Sequence, residues 1–384
     1  MDDDEAPPHL SKTGADFSLP ADFEARAVAQ FDKLIEQGEL FYAQSKGEVI
    51  DHAGFKFEFR ASPSIVKKPI LARDAPERRG QGGPFLNPDP AFVVAELGDS
   101  YVVELSKYAM YRPHYVLHTR HFAPQTDDLD MVDFAAAVAV MYSESAGTSG
   151  NVITNGSHRH HHANGTNGNH STNGTNGTNG ETMGPPPPPP AAKTQRLMLY
   201  NCGYDAGASQ GHKHTQVFEI PKPFPLFPSR ADSTERKPFP PFLSLPPPSG
   251  LPRARTDGNT HIGISSCLPG VPFRHYALRL PPRPGAEQML DAYRRLLQEV
   301  RLLQELHGLK AAYNVVATAE WMCLIPRRRG GLDGTGANAL GMLGVVWVRD
   351  GDERRHWDQL GLSKHLTYLG VPKDERKFST DHRD

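Results

Sequence analysis

Asn201-Cys202-Gly203-Tyr204-Asp205-Ala206-Gly207-Ala208-Ser209-Gln210-Gly211-His212-Lys213-His214-Thr215-Gln216 joins a loop of small residues to a segment that places a histidine at every second position and then a glutamine. Residues 195–200 (QRLMLY) just before it read as an apolar strand, and residues 215–220 (TQVFEI) just after the histidines read as a second. Side chains alternate faces along a strand, so His212, His214 and Gln216 project to one side and Lys213, Thr215 and Val217 to the other. A loop of Gly, Ala and Ser has little side-chain bulk, and its backbone N–H groups can approach an anion closely.

Neutral imidazole is a nucleophile near neutral pH. A histidine beside a phosphate-cradling loop can attack phosphorus and carry a nucleotidyl group. Gln216, on the same face, can donate its amide N–H to a phosphate oxygen, and Ser209 and Gln210 can donate from the loop. The spacing by itself also suits a metal-ligand pair or a structural histidine pair, and the three readings stand level on spacing alone.

The longer pattern NxGxxxGASQxHKHxQ over residues 201–216 resembles the signature of the ATP adenylyltransferases, the diadenosine tetraphosphate (Ap4A) phosphorylases of fungal type, within the histidine-triad superfamily. The resemblance implies that His214 is the nucleophile that carries AMP. It implies that Gln216, Asn201, Gly207, Ala208, Ser209 and Gln210 bind nucleotide phosphates, and that His212 supports the ring packing or contacts phosphate. Residues 64–69 (SIVKKP) match a place where the family has a phosphate-binding basic residue, here Lys67 or Lys68. Residues 104–119 resemble the family's LNKF…PxHxLLVT; the usual ribose-binding Asn is replaced by Ser106, while Lys107 keeps its place. Residues 122–128 (FAPQTDD) also match, as do residues 271–280, 312–327, 338–346 and 360–372. From the 312–327 segment the resemblance carries over Asn314, Thr318 and Arg327 as substrate-binding residues, Arg327 because guanidinium suits polyphosphate oxygens.

The fold implied is α+β: an antiparallel sheet of histidine-triad type with helices, and a C-terminal domain completing the nucleotide pocket. The reaction implied is phosphorolysis. His214 attacks the α-phosphorus of a dinucleoside tetraphosphate and expels ATP, and inorganic phosphate then releases ADP. For this the far ring nitrogen of His214 must be held, a backbone carbonyl being the expected partner. No metal site and no permanent cofactor are expected; a divalent cation such as Mg would arrive on the substrate phosphates. The expected partners are dinucleoside polyphosphate, ATP, ADP and phosphate, with the chain a monomer. Open alternatives are a related nucleotidyltransferase using a donor such as adenylyl sulfate, a dinucleoside polyphosphate hydrolase, and a non-catalytic nucleotide sensor.

The rest of the 384 residues fits this reading. A net charge of −2 suggests neither nucleic acid nor an anionic membrane as partner. No long apolar run marks a membrane span or a signal peptide. The three cysteines are scattered, which fits a reducing compartment; the cytoplasm is expected, with the nucleus as the alternative.

Domain boundaries are expected as follows: a loose tail over 1–18, a catalytic domain over 19–220, a proline-rich connection over 221–252 and a C-terminal domain over 253–384. Within the catalytic domain, residues 143–192 carry Asn-Gly-Thr repeats, a histidine cluster at 158–162 and six prolines, a composition that cannot bury a core. Helices are expected over 21–40, over 129–142 capped by Asp127 or Asp128, and over 289–307; strands are expected over 55–60, 92–96 and 101–105.

Overall fold

The computed structural model of the chain describes residues 17–42, 47–62, 68–143, 195–221, 264–266, 268 and 270–373. Nearly all of the N-terminal tail, the low-complexity insertion and the proline-rich connection lie outside the described residues, as do Lys67 and Cys267.

The chain begins with helix α1 (Phe23–Glu36), in which Phe23, Ala27, Phe31 and Leu34 recur at helical spacing and are buried. Strands β1 (Gly47–His52) and β2 (Phe55–Ala61) follow as a hairpin, then β3 (Val93–Leu97), β4 (Tyr101–Leu105) and β5 (His114–Thr119). Helix α2 (Met131–Met141) leads to β6 (Arg196–Cys202) and β7 (His214–Glu219). The second half supplies β8 (Ile264–Ser265), β9 (Tyr276–Arg279), helix α3 (Ala286–Leu306), β10 (Tyr313–Ala317) and β11 (Trp321–Pro326). It ends with a small hairpin of β12 (Gly331–Leu332) and β13 (Thr335–Gly336), then α4 (Ala339–Met342), β14 (Val345–Val348), α5 (Gly351–Leu360) and α6 (Leu362–Leu369).

The α+β expectation holds, and the sheet is larger than one half of the chain could make. A nine-stranded sheet runs in the order β3-β4-β5-β7-β6-β10-β11-β9-β8, with every neighbouring pair antiparallel. The two halves share one succession. Two strands, a helix and two more strands (β4, β5, α2, β6, β7) are followed by β8, β9, α3, β10 and β11, and β6 meets β10 at the centre. The C-terminal residues thus extend the sheet across its middle, pairing Asn314 with Asn201 and Tyr313 with Cys202.

Side-chain alternation divides the sheet into two faces. One face packs under α1, α2 and α3 through Tyr101, Val103, Leu105, Tyr115, Leu117, Met198, Tyr200 and Val217. On the other face, Leu199, Val316, Cys323 and Ile325 of the central and second-half strands are covered by a second layer built from the β1-β2-β14 sheet and the C-terminal helices. That layer stops short of β5 and the start of β7, and the residues left there carry the chemistry.

Helix α2 begins two residues later than the sequence suggests. Asp130, not Asp127 or Asp128, caps it: its carboxylate accepts from the N–H groups of Val132 and Asp133, and Asp133 accepts from Asp130 N–H in return. Asp128 is unavailable because its Oδ1 accepts from Arg301 and from the Tyr313 hydroxyl, each at 2.7 Å.

Lys213, between the two histidines in sequence, faces the helices instead. Its ammonium lies 2.6 Å from Asp133 Oδ2 and donates to the Asp128 carbonyl, while the Tyr101 hydroxyl donates to the other carboxylate oxygen. Burial raises the Asp133 pKa and Lys213 opposes the rise. Lys213→Met leaves that buried carboxylate without its cation and is expected to cost about 3–5 kcal/mol in urea unfolding. An unchanged midpoint would show that the pair carries no stability.

Candidate active site

Strand β7 sits between β5 and β6, so His214 faces His118 across one ladder and Gln216 faces Leu199 across the other. His214 is 5% exposed. Its backbone is gripped by the Gln125 side chain, whose Oε1 accepts from His214 N–H at 2.7 Å. The Gln125 amide nitrogen donates to the carbonyls of His214 and Asn201. The imidazole Nδ1 lies 2.9 Å from the His212 carbonyl. A carbonyl can only accept, so Nδ1 carries the proton and Nε2 keeps its lone pair. Burial holds the His214 pKa down to about 3, with the nearby charge of Lys68 adding to the effect. The nucleophile-type tautomer expected from sequence, with a backbone carbonyl on the far nitrogen, is the one in place.

His212 turns its proton elsewhere. Its Nε2–H donates to the His121 carbonyl at 3.2 Å and toward Thr119 Oγ1 at 2.9 Å, so no N–H remains for a phosphate. Its part is the carbonyl that orients His214. His118 likewise donates Nδ1–H to the Thr119 carbonyl, and its pKa falls to about 4 through burial. The Phe85 ring stacks on His118 at 4.7 Å and touches His214 and His212. On the same face Glu104 is pushed up to about 7, by burial and by the charge of Asp89.

Gln216 and Asn201 are the polar amides of this face, and both have their oxygens engaged. Gln216 Oε1 lies 3.0 Å from His114 Nε2. Asn201 Oδ1 accepts from Asn314 Nδ2 and from Ala339 N–H.

Beyond them runs the small-residue loop, and its carbonyls point backward. The Arg78 guanidinium donates to the carbonyls of Leu71, Ala72, Ala208 and Gln210, while the N–H groups of Gly207 and Ala208 donate to the carbonyls of Tyr204 and Gly203, which leaves the N–H groups of Ser209 and Gln210 for a ligand. Gly211 passes so close to Arg78 that a Cβ there would stand 2.1 Å from the Arg78 Cα. Gly207 takes φ 84° with its missing Cβ 2.8 Å from Asn338 Cα. Arg73 clasps Asp205 with two hydrogen bonds, and Gln210 lies partly exposed, its amide 3.5 Å from the Pro69 carbonyl.

A cavity of about 1030 Å³ opens beside this loop, lined by Gly207, Ala208 and Ser209 and by six cationic residues, Lys68, Arg73, Lys310, Arg328, Arg329 and Arg349, against Asp205, Asp333 and Glu353. Lys68 is the described member of the predicted lysine pair. Its charge acts on both His114 and His214, and burial lowers its own pKa.

Other predicted residues lie elsewhere or serve differently. Arg327 is 0% exposed, and its five N–H donors go to Leu369 O, Ala206 O, Asn314 Oδ1, Arg329 O and Ala337 O, so none is left for polyphosphate. Its pKa falls to about 9 through burial. Asn314 is equally occupied, bonding Asn201, Ala206 O and Arg327, and it supports the site from behind. Thr318 sits at the far end of β10, its hydroxyl closing the turn to β11 by accepting from Glu320 and Trp321 N–H. Lys107 falls on the helix-covered side, 3.6 Å from Glu39 and over the Phe92 ring. Ser106 continues β4 beside His114, bonding its carbonyl, and stays on the active face.

Sequence reading assigned no role to Gln125, Arg78, His118 or His114. The matching FAPQTDD and PHYVLHT segments contain three of them, and only the fold brings them onto β7. Among the described residues no three His, Cys, Asp or Glu side chains converge to hold a metal ion.

A neutral imidazole with a bare Nε2, beside donors suited to phosphate oxygens, fits a nucleotidyltransferase. The chain belongs to the Ap4A phosphorylase family: the Ap4A phosphorylase N-terminal domain model matches residues 16–164 and 191–235, and the ATP adenylyltransferase C-terminal domain model matches residues 269–372. Among curated relatives, Protein APA1 of Saccharomyces cerevisiae is 22% identical over 352 residues, covering 87% of this chain and 88% of its own. Diadenosine 5',5'''-P1,P4-tetraphosphate phosphorylase 2 of the same yeast is 23% identical, with 84% and 85% covered. The crystal structure of yeast Ap4A phosphorylase Apa2 with AMP superposes with a TM-score of 0.61 at 20% identity, covering 92% of this chain and 98% of that one. The same enzyme with Ap4A gives 0.59 at 21% identity, covering 91% and 97%.

The buried imidazoles make stability depend on pH. His114, His214, His118 and His275 stand at about 3, 3, 4 and 4 in the folded chain, chiefly through burial, against about 6.5 when unfolded. Below that value the unfolded chain takes up protons that the folded one refuses. Stability is therefore lost as pH falls from about 6.5 toward the folded values, by about 1.4 kcal/mol per pH unit for each group. Glu104 works oppositely between its ordinary value and about 7, offsetting one group. The urea midpoint is expected to be clearly lower at pH 5 than at pH 7; an equal or higher midpoint would contradict the neutral buried histidines.

Proposed function

We infer that this chain phosphorolyses Ap4A to ADP and ATP, reversibly, through an adenylyl group on His214. The observation that carries the reading is the bond from His214 Nδ1–H to the His212 carbonyl, which leaves an unprotonated Nε2 on a largely buried, neutral ring. Family membership and the names of the yeast relatives support the same substrate.

The geometry is compatible with the following steps. Nε2 attacks the α-phosphorus, the phosphorus–oxygen bond to the next phosphate breaks, and ATP leaves. Nδ1 keeps its proton, and the carbonyl of His212 stabilises the cationic ring that results. Gln216 and Asn201 present amide NH2 groups, and Ser209 and Gln210 present backbone N–H groups, toward the charge that builds on the equatorial oxygens. The leaving triphosphate lies in the cationic cavity with Lys68 at its inner end. Inorganic phosphate then enters where ATP left, its oxygen attacks the same phosphorus, the P–N bond breaks and ADP is released. A divalent cation would travel on the substrate phosphates in this scheme.

Chromatography of the products from Ap4A with and without phosphate tests this. ATP plus ADP is expected only with phosphate present, and His214→Ala should lower kcat by about 10⁴-fold or more. AMP plus ATP without phosphate would instead make water the acceptor, and near-normal turnover by His214→Ala would overturn the nucleophile.

A further inference from the structure

A carboxamide can present either end to a ligand, since its terminal torsion is roughly two-fold. With its oxygen outward, Gln216 would repel a phosphate; with its NH2 outward, it stabilises one. We propose that His114 is a positioning residue that holds the Gln216 amide with its NH2 toward the substrate phosphate.

The chain of donors fixes the direction. Met110 N–H donates to His114 Nδ1 at 3.3 Å, so Nδ1 carries no proton. His114 is 1% exposed, and burial, with the charge of Lys68 adding, keeps its pKa near 3, so the ring is neutral and holds a single proton. That proton sits on Nε2, 3.0 Å from Gln216 Oε1, and donates to it. Reversing the amide would set two donors against each other at that distance. The ring itself cannot turn to accommodate a reversal. It packs edge-on against Phe218, with centroids 4.9 Å apart, and Phe218 is stacked in turn on Tyr111 at 4.4 Å. The relay from Met110 through His114 to Gln216 therefore has one polarity, with hydrogens pointing toward the active face at every link. His114 serves no proton transfer, because its only N–H is committed to Gln216.

The inference rests on the phosphorolysis reading for the identity of the phosphate, and two readouts separate them. A double-mutant cycle of His114→Phe and Gln216→Ala is run on the rate of ATP release from Ap4A in a single turnover, and on the affinity for AMP by calorimetry. Phe keeps the packing on Phe218 and removes the donor. His114→Phe is expected to slow ATP release by about 10- to 100-fold and to weaken AMP binding. In the Gln216→Ala background the same change should alter either quantity by less than about twofold, since the amide it orients is gone. His114→Gln, whose amide NH2 reaches the place of Nε2, should recover most of the loss while the folded fraction of every variant is matched by thermal melting.

Independent, additive losses in the cycle, or no rescue by His114→Gln, would overturn the positioning role and leave His114 as core packing. If the unaltered chain released no ATP from Ap4A, the phosphorolysis reading would fail, and the AMP cycle would still decide the role of His114.

Discussion

The hydrogen bond from His214 Nδ1–H to the carbonyl two residues earlier, 2.9 Å long, is the constraint on which the rest of this site depends. It decides which ring nitrogen is bare, and it exists only because the backbone of residues 212–214 is held in one shape. Gln125 fixes that shape by bonding both backbone groups of His214. The isolated bridge between Pro124 and His212 and the bond from Lys213 N–H to Ala123 O hold the segment just before it. Phe85 closes the apolar wall that keeps the ring neutral. None of these neighbours touches the reacting atoms, yet each narrows what His214 can be.

A second theme is the sorting of hydrogen-bond polarity. Two guanidiniums, the half-buried Arg78 and the buried Arg327, gather backbone carbonyls to the rear of the loop. Asn314 and His114 take the oxygens of Asn201 and Gln216. What remains at the front is N–H. A site for a polyanion is thereby assembled largely from neutral dipoles, and the cationic residues line the cavity beside it. Arg327 has no carboxylate bonded to its guanidinium, and burial lowers its pKa to about 9. Five well-placed acceptors meet the desolvation cost of that charge.

Much of this was readable in the residues before any coordinates. The alternation of His212, His214 and Gln216 around a small-residue loop located the strand and the face these side chains share, while the family resemblance, not the spacing, singled out His214. The apolar spacing in α1 and α3 located the helices to within a few residues. The α+β class came from the family resemblance, and the alternation of strands and helices agreed with it. What periodicity could not give was pairing between distant segments. That β10 would lie against β6, and so turn Asn314 and Arg327 into braces for Asn201, depends on 113 residues of separation for the Asn pair alone. Residue chemistry misled for the same reason: Arg327 suits phosphate, but its five donors are consumed by carbonyls that only the folded chain brings near. Lys107 shows strand parity at work, since one step from Ser106 along the chain is a change of face. Thr318 belongs to a turn whose capping pattern was hidden inside a matching motif. Gln125 and Arg78 lie outside the strands and α-helices, and their side chains act at long range.

The duplicated strand succession clarifies why one half carries the reaction. In the second half the strand corresponding to β7 reads Trp321-Met322-Cys323-Leu324-Ile325, without histidines. Its equivalent face is buried beneath the β1-β2-β14 layer. The first half keeps that face open at β5 and the start of β7, and in the second half the covering layer closes it. The most direct test is to mix the protein with Ap4A in the absence of phosphate and measure its intact mass and modified peptides. A gain of one adenylyl group on the peptide containing His214, discharged as ADP when phosphate is added, is the predicted result. An adduct on another residue, or steady formation of AMP with no adduct, would contradict His214 as the carrier.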